Sequence, residues 1–232
     1  MSQSRMRTAE AKDVDQVTQV FIKAMQDNQS WPYRFPHRVK YAEDHWNYNR
    51  DLIRRFISLD YNDWVIVVVE LQDAARAWQI VAFSVWDISY VNKRAHGPGY
   101  IPNSPHSDLA QQDTREVGYS RRDTDPKHLA AFQAALKESN QKYFSQFGPN
   151  QIKVQVLGTL PEYRRQGFAS QLCRWGMERA ARDSVAMTLS ASPQGYPLYA
   201  GLGFRKLGQQ VINAPGEEES LVVDCMAFEP EQ

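Results

Sequence analysis

The chain has 232 residues, 42% hydrophobic and 23% charged, which suits one globular domain or one domain carrying a large insertion. Its 27 Lys and Arg balance 27 Asp and Glu, which argues against nucleic acid as the main partner, because phosphate binding needs a cationic surplus. The N-terminal residues lack the apolar segment of a secretory signal, and the longest apolar run, residues 64–69, is too short to span a bilayer, so no membrane partner is expected. Two cysteines, Cys173 and Cys225, occur outside any CxxC or Cys/His cluster, so a cytoplasmic setting is expected and a metal site is not.

Residues 6–9 read as a short first strand. Asp13 is placed to N-cap a helix in which Val14, Val17, Val20, Phe21 and Ala24 recur at helical spacing. Pro32 and Pro36 break the chain, and a second helix is expected over about residues 39–59. Residues 64–71 are rich in β-branched side chains and predict a buried strand, with residues 79–88 as its hairpin partner. The polar stretch 92–127, punctuated by Gly97, Pro98, Gly99, Pro102 and Pro105, predicts a long loop of the kind that is usually functional or mobile. Helical spacing returns over 128–147 and ends at Gly148 and Pro149. Then come a strand at 151–160, a helix at 167–182, a strand at 185–191, a short helix at 196–202, and a final strand pair at 205–212 and 221–228. Strand, helix, strand, helix in that order predicts an α/β layer. Aromatic residues are 12% of the chain and cluster in 31–61 and 64–100, where they read either as core and lid packing or as rings lining a pocket.

The segment from Arg164 to Ser170 has the chemistry of a phosphate cradle. Pro161 cannot continue a strand's ladder, Gly167 lets the backbone approach a ligand, and Ala169 keeps the next contact small. Phe168 and Ser170 fall in a first helical turn whose amides lack partners and whose dipole end is positive, a match for pyrophosphate. Arg164 and Arg165 add positive charge, with Gln166 between them and the glycine. Taken alone, this RxxGxA pattern fits an ordinary strand-to-helix turn equally well. It is neither a GxxxxGK[ST] loop nor a GxGxxG loop, which weighs against nucleotide hydrolysis and against NAD.

Arg164-x-x-Gly167-x-Ala169 resembles the Q/R-x-x-G-x-G/A signature of the GNAT superfamily of N-acetyltransferases. The likeness continues through AlaSerPro at 191–193, GlyTyrProLeuTyr at 195–199 and GlyPhe at 203–204, and it covers roughly 151–208. The resemblance implies a mixed α/β domain with a twisted central sheet and helices on both faces, spanning 1–232 and carrying an insertion at about 92–150 between the central strands. It implies acetyl-CoA as co-substrate and direct transfer of acetyl to an amine, with a small-molecule amine as the expected partner. By the same resemblance, Leu157, Gly158 and Thr159 pair with the pantetheine arm. Arg164, Arg165, Gln166, Gly167, Phe168, Ala169 and Ser170 hold the pyrophosphate, mostly through main-chain amides. Tyr199 protonates the departing thiolate.

The sequence departs from the family pattern in two places. Ser192 stands where many members have asparagine, and it keeps hydrogen-bonding ability. The strand before the loop offers Lys153 and Gln155 where many members carry a glutamate, which leaves the general base to a water chain or to an Asp, Glu or His of 92–127, with His96 and His106 as candidates by side-chain type. Loss of that glutamate keeps open an alternative, a non-catalytic acyl-CoA binding or sensing module. Oligomeric state and acceptor are not legible.

Overall fold

The computed structural model describes residues 3–97, 99–107 and 119–230. In chain order it has β1 (Ser4–Thr8), α1 (Val14–Met25), α2 (Ser30–Arg34), α3 (Ala42–Ile57), β2 (Trp64–Gln72), β3 (Trp78–Asp87), α4 (Tyr90–His96) and α5 (Pro126–Ser139). There follow β4 (Gln151–Thr159), α6 (Phe168–Asp183), β5 (Ala186–Ala191), α7 (Tyr196–Gly201), β6 (Arg205–Asn213) and β7 (Ser220–Phe228). The seven strands form one sheet in the order β1-β2-β3-β4-β5-β7-β6. Every neighbouring pair is antiparallel except β4 with β5, which are parallel and joined through α6.

Both faces of the sheet are covered, and the period of two along β2 shows why. Ile66 and Val68, with Phe83 and Val85 of β3, pack into a core shared with Phe21 of α1 and Ile53 of α3. Val67 and Val69, with Val81 and Trp86, pack into a second core with Leu172 of α6. The continuous apolar run of β2 is thus that of a strand buried on both sides. The fold is the mixed α/β sheet with flanking helices that the sequence predicts.

Several local expectations change. Pro32 does not break the chain. It sits within α2, where a first-turn amide needs no intrahelical acceptor and the missing donor costs little. Asp13 does not cap α1 with its side chain. It closes a 3-10 turn by accepting the Glu10 amide and also pairs with Arg7. The stretch 92–127 is not wholly loop, because α4 runs into it and residues 105–107 are helical; Pro98 and residues 108–118 lie outside the described residues. Its far end is pinned to α3: Asp123 is fully buried, receives His45 Nδ1 at 2.8 Å and pairs with Arg121 at 3.0 Å. Asp125 then caps α5 by accepting the amides of Lys127 and His128, with Pro126 in the first turn.

Candidate active site

The central feature is the parting of β4 from β5. They pair only from Gln151 with Ala186 to Val154 with Leu189. Beyond that point β4 runs on to Thr159 with β3 as its described strand partner, Leu157 facing Ser84 and Gly158 facing Phe83. Val85 faces Val156 while Trp86 faces Val154, so Gln155 is an extra residue that bulges β4 where the two strands separate. Alternate peptide groups of β4 past the bulge therefore aim at the opening and not at a strand. Gly158 is there for space: a Cβ would fall 2.8 Å from Phe83, 2.9 Å from Ala24 and 2.9 Å from Met25. Its neighbour Thr159 has a buried hydroxyl with no hydrogen-bond partner among the described residues.

The next loop begins with Pro161–Tyr163 in a 3-10 turn and enters α6 through Arg165 at φ 64° and Gly167 at φ 88°. These two left-handed residues turn the chain so that the first amides of α6 face outward, and no side chain among the described residues caps them. Arg165, Gln166 and Gly167 are exposed, Ala169 and Ser170 half-buried, and Phe168 is buried in the core beside α6. Arg164 is already engaged by protein groups. Its guanidinium pairs with Asp27 at 2.6 Å and donates to the Ala24 carbonyl at 3.2 Å and the Thr159 carbonyl at 3.4 Å. The Asp27 carbonyl in turn accepts from Gln194 at 2.9 Å. Asp27 thus ties the loop after β4 to the turn after β5, the two sides of the opening.

That second turn is built by Ser192. Its carbonyl accepts the amides of Gly195 and Tyr196, each at 2.9 Å, and its hydroxyl accepts Gly195 at 3.2 Å. The turn starts α7, which presents Tyr199. The ring of Tyr199 is 8% exposed and packs edge-on against Phe204 at 5.5 Å. Burial raises its phenol well above the usual range, and the nearby Cys173 thiol adds to the shift, so Tyr199 stays protonated at neutral pH.

Between the parted strands lies a cavity of roughly 680 Å³ that joins these parts to the N-terminal half. Val156, Leu157, Ser190, Ser192 and Tyr199 line one side, and Trp31, Arg34, Phe35, Tyr48, Phe56 and Phe132 line the other. The aromatic residues of the first half are therefore both core and pocket wall. His106 also lines the cavity, edge-on to Phe56 at 5.5 Å. Burial, with help from Arg34 and Arg121, pushes its imidazole down to about 4, so it is neutral at pH 7. His96 is exposed on α4, stacks on Tyr100 and is not part of the cavity wall. Asp108, Asp113 and Glu116, acids of the same stretch, lie outside the described residues. Lys153 reaches the cavity as well, and burial lowers its pKa. Arg34 escaped the sequence reading; the signal for it is an arginine set between Trp31, Tyr33 and Phe35. Among the described residues no group of three or more His, Cys, Asp or Glu could hold a metal, and no helix is long and apolar enough to cross a membrane.

The central parallel pair of the sheet thus opens over a cavity, next to a helix start that no described side chain caps. Residues 106–215 match the family model described as "Acetyltransferase (GNAT) domain". An "Acetyltransferase" of Stachybotrys chartarum is 23% identical over 227 residues, covering 98% of this chain and 91% of that protein. Among solved structures, mosquito arylalkylamine N-acetyltransferase like 5b aligns with TM-score 0.59 at 14% identity, over 98% of this chain and 100% of that one. The Drosophila melanogaster polyamine N-acetyltransferase that forms N-acetylagmatine aligns with TM-score 0.58 at 11% identity, again over 98% and 100%. The chain thus carries a match to a GNAT acetyltransferase domain over residues 106–215 and is an acetyltransferase.

Proposed function

We propose that this acetyltransferase takes acetyl-CoA as donor and transfers the acetyl group directly to the amine of a small molecule. The observation that carries this reading is the opening of β4 from β5 above a cavity walled by Tyr199. The residues fit an acyl-CoA: the free edge of β4 offers amide partners to an amide-containing arm, and the turn at Arg165 and Gly167 leaves helix-start amides for a pyrophosphate. When bound, acetyl-CoA supplies an acetyl thioester, an activated carbonyl with a thiolate leaving group.

The chain's own residues then divide the work. The edge of β4 and the first amides of α6 hold and orient the donor, mainly through main-chain groups. Arg164 acts indirectly, by fixing the end of β4 to Asp27. Ser192 shapes the turn that aims Tyr199. As the amine nitrogen bonds to the acetyl carbon and the carbon–sulfur bond breaks, the Tyr199 hydroxyl gives its proton to sulfur. The nitrogen gives up a proton to water or to His106, which is neutral and in the cavity wall.

We read residues 1–232 as one GNAT-type domain with an insertion at about 92–150; direct pairing of β3 with β4 across that segment supports this. The test is thiol release from acetyl-CoA over a panel of amines, together with thermal stabilisation by acetyl-CoA. Absence of both rejects the reading.

A further inference from the structure

The cavity wall around α2 is rich in unspent donors and poor in negative charge. Arg34 donates Nε to the Ser30 carbonyl at 3.0 Å, while its two terminal nitrogens have no hydrogen bond or ion pair among the described residues. Three rings hold this guanidinium: its carbon lies 4.1 Å from the centroid of Phe132, 5.0 Å from Phe35 and 5.4 Å from Trp31. Two further donors stand close by. Trp31 Nε1 and Arg121 Nη2 are buried and have no hydrogen-bond partner among the described residues. Among the described residues, the acids beside this wall are already engaged, Asp123 by His45 and Arg121, and Asp44 by Arg122. The described residues lining the cavity include two cations, Arg34 and Lys153, and no Asp or Glu.

A cation held half-buried among rings without a counter-charge is costly, and so is a buried donor without an acceptor. A cavity that receives an amine and is walled this way is poorly suited to a substrate that is only cationic, since such a substrate calls for carboxylates. It suits one that brings the missing negative charge itself. Arg34 presents two free terminal nitrogens on a ring-locked plane, the geometry for a bidentate oxyanion. One guanidinium balances one negative charge, and the surrounding rings favour an apolar body.

We propose that the acceptor is a primary amine bearing an anionic group, a carboxylate foremost, and that Arg34 receives that group. The inference rests on the acetyl-CoA-dependent reading above. It assigns Arg34 to specificity and not to the bond-making step.

The test is thiol release at about pH 9, with kcat/KM expressed per neutral amine for each acceptor, using phenylalanine, phenylalaninamide, phenethylamine, 2-aminoethylphosphonate and spermidine as probes. The expected result is a kcat/KM for phenylalanine on the order of tenfold or more above phenylalaninamide and phenethylamine, with spermidine lowest. Arg34→Gln should bring that ratio close to one while leaving the KM for acetyl-CoA unchanged, and Arg34→Lys should restore part of it. 3-Phenylpropionate, which has the anion and no amine, should inhibit the wild type competitively with the acceptor. Should Arg34→Gln fail to fold, the wild-type ratio and this inhibition decide. The phosphonate arm separates the two oxyanions: the carboxylate assignment fails if only 2-aminoethylphosphonate is preferred. Equal or better turnover of the uncharged-tail amines or spermidine overturns the proposal. So does absence of turnover for every anionic amine while acetyl-CoA still raises Tm. No thiol release from any amine and no thermal response to acetyl-CoA is the separate failure of the parent reading.

Discussion

The two sides of the cavity are built by different means. The donor side, from β4 through the loop to α6, β5 and α7, is one continuous stretch of chain, and what it offers a ligand is mostly backbone. The acceptor side is assembled from α2, α3, α5 and the segment around His106, parts far apart in sequence, and what it offers is side chains. The comparison teaches that a site made from local backbone geometry leaves a legible trace in sequence, and a site made from convergent side chains leaves little.

The sharpest test of the donor side is Tyr199. Tyr199→Phe should lower kcat by on the order of a hundredfold with little change in the KM for acetyl-CoA; unchanged turnover in a folded variant would remove Tyr199 from the chemistry. Next is the turn. Gly167→Ala places a Cβ at φ 88°, which should cost about 1–2 kcal/mol of local strain and raise the KM for acetyl-CoA several-fold, read by steady-state kinetics. Gly158→Ala forces a methyl against Phe83, Ala24 and Met25, and overpacking of this kind should lower stability by about 1–3 kcal/mol in denaturant melts.

The elements of the acceptor side carry two histidines that titrate with opposite sign, His106 in the cavity wall and His128 of α5 outside it. Burial works against charge on His128, but the Glu217 carboxylate at 2.5 Å and the Tyr33 carbonyl at 2.8 Å outweigh it and raise its pKa. Its stabilising contribution is full below the ordinary value of 6.5 and is lost as pH rises through the raised folded value. His106 is the reverse. With its pKa held at about 4 in the fold, it costs nothing above 6.5, and folding is penalised increasingly as pH falls from 6.5 towards 4. Tm measured across pH should therefore flatten on the alkaline side in His128→Gln and on the acid side in His106→Gln. The smallest effect expected is that of Arg164→Ala. Arg164 is 38% and Asp27 54% exposed, so loss of the pair should cost no more than about 1 kcal/mol. A large loss of acetyl-CoA affinity in that variant would instead make Arg164 a direct ligand of the donor.

The strands and helices of the second half were legible because each is announced by its own neighbours. Gln151–Thr159 alternates, Gly167 marks a left-handed turn, and GlyTyrPro opens α7. Pro32 and Asp13 misled because local rules were overridden, one by a helix short enough to keep its proline in the first turn, the other by an ion pair with Arg7 reached from the neighbouring strand. By itself the sequence determined the fold class and the left-handed turn that starts α6, and it singled out Tyr199, since these depend on backbone preferences and spacing within a few tens of residues. Only the tertiary structure decided that Arg164 pairs with Asp27, that His106 and not His96 reaches the cavity, and that Arg34 stands there with no counter-charge among the described residues. Those outcomes depend on which distant side chains meet, and on how burial then sets the cost of a charge.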